Sequence, residues 1–198
     1  MAFKPENLPE HRAFEGRFYF IDDENLRTNV CINFQYIVFL LSLLKEYEFQ
    51  GPIQYSINKD IIVNTATIVE CCLYFCIKKY LELGRTTEQE IRGYKWEDFG
   101  GVCLIYEINE TEAIFWSKRR KKGFESGVQF RDINIIVKRI AILDNSLFDK
   151  AEIMRTNRNK IHLAGLDNAD FFEKKHVEEA FKSAEDILAV IEDKLTSQ

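Results

Sequence analysis

The sequence predicts an all-α fold, a helical bundle of about five helices with one inserted β-hairpin, and three features predict it. Apolar residues recur at three- and four-residue intervals over five long windows, the period of a helix that buries one face. Gly, Pro, Asp and Asn fall between those windows, where helices stop and start. One window, 102–118, departs from the pattern. Its β-branched and aromatic residues flank the turn residues Asn109 and Glu110, which predicts paired strands at 102–108 and 112–118.

Residues 1–21 hold two of the three prolines and the aromatics Phe14, Phe18, Tyr19 and Phe20, and read as a loosely structured arm whose end can pack on the bundle. The rest, 22–198, reads as a single domain, because no linker, repeat or low-complexity tract divides it. Asp22 or Asp23 offers an N-cap to a first helix, with Leu26, Val30, Phe34, Ile37, Leu41 and Leu44 on its core face and Gly51-Pro52 as its end. Asn58 is the expected cap of a second helix. Ile61, Thr65, Ile68, Cys72, Phe75 and Leu83 mark its inner face, and Gly84 its stop. Between Arg85 and Gly101 the pattern loosens. Beyond the hairpin, Phe130, Ile133, Val137, Ile140 and Leu143 predict a third helix. Asp144-Asn145-Ser146 then caps a fourth over 148–165, and Val177, Phe181, Ala184, Leu188, Ile191 and Leu195 trace the most regular amphipathic pattern in the chain.

With 198 residues, 46% apolar and 13% aromatic, there is enough apolar surface for a real core. A net charge of -5 argues against indiscriminate coating of duplex nucleic acid, yet leaves room for a local basic cleft. The N-terminal stretch lacks the apolar core of a signal peptide. The longest apolar run, 36–44, is about half of the roughly 20 residues a bilayer crossing needs. No membrane span and a cytoplasmic location are therefore expected. Five cysteines without secretory context do not suggest a disulfide framework. Cys72 and Cys76, four apart on an apolar helix, read as packing thiols rather than metal ligands, and neither a metal nor another cofactor is expected.

Chemistry concentrates in 148–165, FDKAEIMRTNRNKIHLAG. At about 100° per residue, Arg155, Arg158, Asn159 and His162 fall within one helical stripe, with Gly165 as a left-handed stop. Phe148, Ala151, Met154 and Ile161 form a packing face. A guanidinium beside a side chain that exchanges protons near neutral pH can move a proton at a phosphodiester while holding its negative charge. Arg155, Arg158 and Lys160 are costly to bury unpaired and useful against a phosphate; they also favour a neutral imidazole at His162. The plainer alternative is a structural histidine and arginines that pair with acids such as Glu70 or Glu152. Glu70 itself is either a solvated carboxylate on an outward face or the group that orients Arg155 or Arg158. Likewise Lys118, Arg119, Arg120, Lys121 and Lys122 form either a solvated, mobile loop or a grip on an RNA backbone.

Arg155 and His162, with six residues between them, and the run RNKIH at 158–162 resemble the signature of HEPN domains (higher eukaryotes and prokaryotes nucleotide-binding). That signature is an arginine, four to six residues, then a histidine, on a helix of an all-α bundle. The helix ATIVECCLYF at 66–75, the basic segment before QFRDI at 129–133, and HVEEAFKSAEDI at 176–187 follow in the expected order. The resemblance thus spans roughly 25–195, with 155–162 its one sharp motif. It implies a metal-independent endoribonuclease in a toxin or defence-like setting. The RNA's own 2′-hydroxyl would attack, His162 would exchange a proton with that hydroxyl or the leaving 5′-oxygen, and Arg155 would stabilise the transition-state charge, with Arg158 and Asn159 contacting or positioning phosphate.

The resemblance further implies a homodimer whose motif helices face one another, which supplies two histidines to the two ends of an in-line displacement. Thr156 stands where many members have Asn or Asp, and the Arg-Asn pair at 158–159 sits closer to His162 than the usual spacing. The family role therefore falls to Arg155, favoured by spacing, or to Arg158. The alternative is a non-catalytic module that dimerises, or pairs with an antitoxin-like or nucleotidyltransferase partner, and only binds nucleotide or RNA.

Overall fold

The computed structural model describes residues 8–92, 96–121, 124, 128–160 and 171–197. Among them are six α-helices: α1 (Glu24–Glu46), α2 (Pro52–Glu82), α3 (Glu88–Arg92), α4 (Phe130–Arg139), α5 (Asn145–Asn159) and α6 (Lys174–Thr196). A 3₁₀ helix, His11–Arg17, precedes them, and an antiparallel hairpin of β1 (Trp96–Glu107) and β2 (Ala113–Lys121) lies between α3 and α4. The all-α bundle with an inserted hairpin is as the sequence predicts; the short α3 is an addition.

The bundle is built around α2, on which α1, α4, α5 and α6 all pack. Its 31 residues bury Ile61, Ile62, Ala66, Val69, Leu73, Phe75, Cys76 and Ile77 on more than one side, the pattern of a helix enclosed by neighbours rather than one lying on a surface. Cys72 and Cys76 are fully buried packing thiols, and burial pushes the half-buried Cys71 thiol up to about 11. By length and composition α1 and α2 could each cross a membrane, which the unbroken apolar run at 36–44 did not reveal; 61% of the apolar window of α2 is buried inside the bundle and 22% of that of α1.

Several elements differ in extent from the sequence expectation. Asn58 does not cap α2. The helix starts about two turns earlier at Pro52, whose missing N–H is harmless in a first turn, and buried Asn58 instead donates Nδ2 to the Phe172 carbonyl at 2.8 Å. Leu40 rather than Leu41 enters the core from α1, and Leu83 lies exposed beyond the end of α2. Gly84, at φ +65°, is the expected left-handed stop. The N-terminal arm is more ordered than expected from His11 onward, since Phe18, Phe20 and Ile21 are buried and Phe14 meets Phe34 edge to face. The strands outrun their predicted ends: Gly100 and Gly101 lie inside β1 at an irregularity between Asp98 and Val102, where the extra residues are absorbed as a bulge.

Asp23 and Asp144 cap α1 and α5 by accepting the backbone N–H of Leu26 at 3.0 Å and of Leu147 at 2.8 Å. Asp144→Ala leaves that first-turn donor unpaired and is expected to lower stability by about 1 kcal/mol, read as a shifted midpoint in urea unfolding. An unchanged midpoint would mean that tertiary packing alone sets the start of α5.

Candidate functional site

Ala151 and Met154 seat α5 against the core, and this fixes where the arginines on the same helix point. Arg155 places Nε at 3.0 Å and Nη2 at 2.9 Å from one oxygen of Glu152, a turn earlier on α5. The other Glu152 oxygen accepts from Nδ2 of the fully buried Asn134 on α4 at 2.6 Å. Arg155 is thus held within its own helix, by a carboxylate that α4 pins in place.

Arg158 reaches across to α2. Its Nε lies 3.1 Å from Oε2 of Glu70, whose side chain is only 16% exposed, against 35% for Arg158. Of the two sequence readings of Glu70, the solvated one is corrected: the carboxylate sits in the bundle and orients Arg158. Burial raises its pKa above the ordinary carboxylate value, and the guanidinium acts in the opposite direction. The contact of Arg158 with Glu70 runs through Nε, whereas Arg155 gives Nε and a terminal nitrogen to Glu152.

The stripe expected to run through 148–165 is shorter as a helix. α5 ends at Asn159, which is exposed, with Lys160 as C-cap. Ile161, His162 and Gly165 lie outside the described residues. The cationic run is not the loop that was one of its two readings: Lys118 is exposed in β2, residues 119–121 continue that strand opposite Trp96, Glu97 and Asp98, and Lys122 lies outside the described residues. The structure therefore brings Glu70 to Arg158 and Glu152 to Arg155, while the hairpin cations sit on a separate element.

A groove of about 560 Å³ between α5 and α6 was not foreseen. Lys150 and Asn157 line it from α5, Lys160 from the C-cap of that helix, His176 and Ser183 from α6, and Phe171 and Phe172 from the segment before α6. Lys160 and Lys59 both lie over the Phe172 ring, at 4.9 and 5.9 Å from its centroid. Lys150 meets Asp186 at 2.5 Å, which holds that carboxyl below its ordinary value. Nδ1 of His176 accepts the Glu173 N–H at 3.0 Å in a capping box. Lys160 and Phe171 flank the segment that contains His162, and both line this groove. The spacing Lys150, Ile153, Asn157, Lys160 carried the signal, one helical stripe with a cation at each end. It passed unnoticed because the arginine stripe on the same helix holds the denser charge.

No protein-family model, curated protein or solved structure matches the chain.

Proposed function

We propose that this chain is a metal-independent endoribonuclease of the kind its resemblance to HEPN domains implies, acting in the cytoplasm as a homodimer. Arg158, rather than Arg155, holds the scissile phosphate, and His162 moves the proton. The observation that carries this is the arrangement at the end of α5. Arg158 is paired with Glu70 from a second helix and precedes His162 by four residues in the sequence. A guanidinium held in place before the substrate arrives stabilises developing charge without reorganising. The groove on the other side of α5, with Lys150, Asn157 and Lys160 beside two phenylalanines, has the cations, amide and rings that a nucleotide flanking the scissile bond engages.

A non-catalytic nucleotide- or RNA-binding module, alone or with an antitoxin-like or nucleotidyltransferase partner, has one specific observation in its favour. Both arginines already carry a carboxylate, so a phosphate competes with Glu152 and Glu70 for them. Cleavage of single-stranded RNA in excess chelator separates the two. His162→Ala is expected to lower cleavage at least about a hundredfold with thermal stability and RNA affinity unchanged. Binding without cleavage by the unmodified chain selects the module, and neither binding nor cleavage leaves a structural role for both arginines.

A further inference from the structure

Of the four polar side chains buried among the described residues, three do local or backbone work. Asn58 holds the Phe172 carbonyl, Thr65 bonds back to the Ile61 carbonyl of its own helix, and Thr86 meets Glu90 at the start of α3. Asn134 differs. It lies on the core side of α4, on one stripe with Phe130 and Val137, at 0% exposure, and its Nδ2 reaches a charged side chain on another helix, Glu152 of α5, at 2.6 Å. Its Oδ1 is sealed in the core and meets no donor among the described residues. An acceptor left in that state costs stability, whereas an apolar side chain of the same shape is close to neutral or better there. The fold as a whole therefore gains little from an amide at 134. The group that gains is Glu152.

Glu152 and Arg155 are three apart on α5, with side chains 29% and 23% exposed. A pair of that kind is weak by itself and leaves two long side chains able to change rotamer. The third bond alters this. Oε1 of Glu152 is anchored by the Asn134 amide, so Oε2 is presented in one place, where it takes Nε and Nη2 of Arg155 at 3.0 and 2.9 Å. We propose that Asn134 is a positioning residue: from α4 it aims Glu152, and through Glu152 it aims Arg155. Arg155 and Arg158 are neighbours, one turn apart on the surface of α5. Each is then steadied from a different helix, the first from α4 by way of Glu152 and the second from α2 by Glu70. Two guanidiniums oriented before the substrate arrives stabilise charge on a phosphate without reorganising. Giving that pair a reaction rests on the ribonuclease reading; the ordering of Arg155 by Asn134 does not.

Nuclear magnetic resonance reads the ordering directly, through the order parameter of the Arg155 Nε–H bond, a signal assigned by its loss in Arg155→Lys. In the unmodified chain it is expected near the rigid-backbone value of about 0.85, and in Asn134→Leu below about 0.6, with the urea midpoint unchanged or raised. Glu152→Gln should loosen Arg155 in the same way, and the double variant should add nothing further, because both residues act on one relay. Asn134→Val, closer to asparagine in volume, repeats the test where leucine crowds the contact of α4 with α5. An Arg155 that stays ordered in both variants overturns the proposal. So does a midpoint that falls in both, since the amide then holds the two helices together as a whole, and so do additive losses in the double variant. On single-stranded RNA, Asn134→Leu is expected to lower kcat about 10–100-fold with KM little changed. Cleavage that Asn134→Leu leaves intact overturns the relay while the ribonuclease reading stands. No cleavage by the unmodified chain sinks that reading instead, and the Arg155 signal still decides the relay.

Discussion

Leu73→Ala is expected to destabilise the bundle by about 2–5 kcal/mol, the range for emptying a fully enclosed leucine site, and to lower the melting temperature by on the order of 10 °C for a chain of this size. Leu73 is 0% exposed. It lies on the one helix that α1, α4, α5 and α6 all share, so a cavity there has no mobile neighbour to collapse into it. Ile53, on the first turn of the same helix but 59% exposed, sets the contrast: Ile53→Ala should stay within about 0.5 kcal/mol. Urea unfolding of the two variants measures the difference. Similar losses at both positions would mean that α2 contributes through helix propensity rather than through enclosure.

That asymmetry also explains what the sequence made legible. Periodicity found the helices, because each outer helix buries one stripe: Val177, Ala184 and Ile191 of α6 and Ile133 and Val137 of α4 fall where a 3.6-residue repeat puts them. It misjudged the start of α2, because a helix enclosed on several sides has no polar face to mark its first turn, and a buried asparagine looks like a cap when its partner, the Phe172 carbonyl, is 114 residues away. Glu70 was ambiguous for the same reason. Nothing local distinguishes a solvated glutamate from one that meets an arginine 88 positions further on (158 minus 70). The hairpin was legible as strands but not in length. Its cations looked like a loop by composition, whereas the register that sets residues 119–121 opposite Trp96, Glu97 and Asp98 is visible only in the fold.

Arg158→Ala should reveal what its pairing with Glu70 does for the fold, and a second substitution should then separate that from any role in chemistry. Removing one partner of a fully buried ion pair costs about 3–5 kcal/mol and of an exposed one at most about 1. Glu70 is 16% and Arg158 35% exposed. Discounting for the solvent at the arginine leaves a loss of about 2 kcal/mol at neutral pH. Glu70→Gln should cost less, because the carboxyl's pKa is raised by burial more than Arg158 lowers it, so the charge is a burden that the pair only partly offsets.

The pH dependence has a definite sign. A carboxyl whose folded-state pKa lies above its unfolded value binds more protons when folded, so its contribution is fully present below the unfolded value and is lost as pH rises through the folded one. Arg158→Ala raises the folded value further and should deepen that loss toward neutral pH; acidification should recover it, and Glu70→Gln/Arg158→Ala should lack it. Urea unfolding from about pH 4 to 8 on the four proteins of this cycle is the measurement. A deficit in Arg158→Ala that does not vary with pH would show that its aliphatic stem, not its charge, matters to the fold. The double variant then carries the functional question, because its stability is restored while its guanidinium is gone. If Arg158 holds the phosphate, cleavage should remain down by about 10²–10³, the loss typical of one missing transition-state donor. If cleavage returns with stability, Arg158 only clamps α5 to α2, and the charge-stabilising role passes to Arg155.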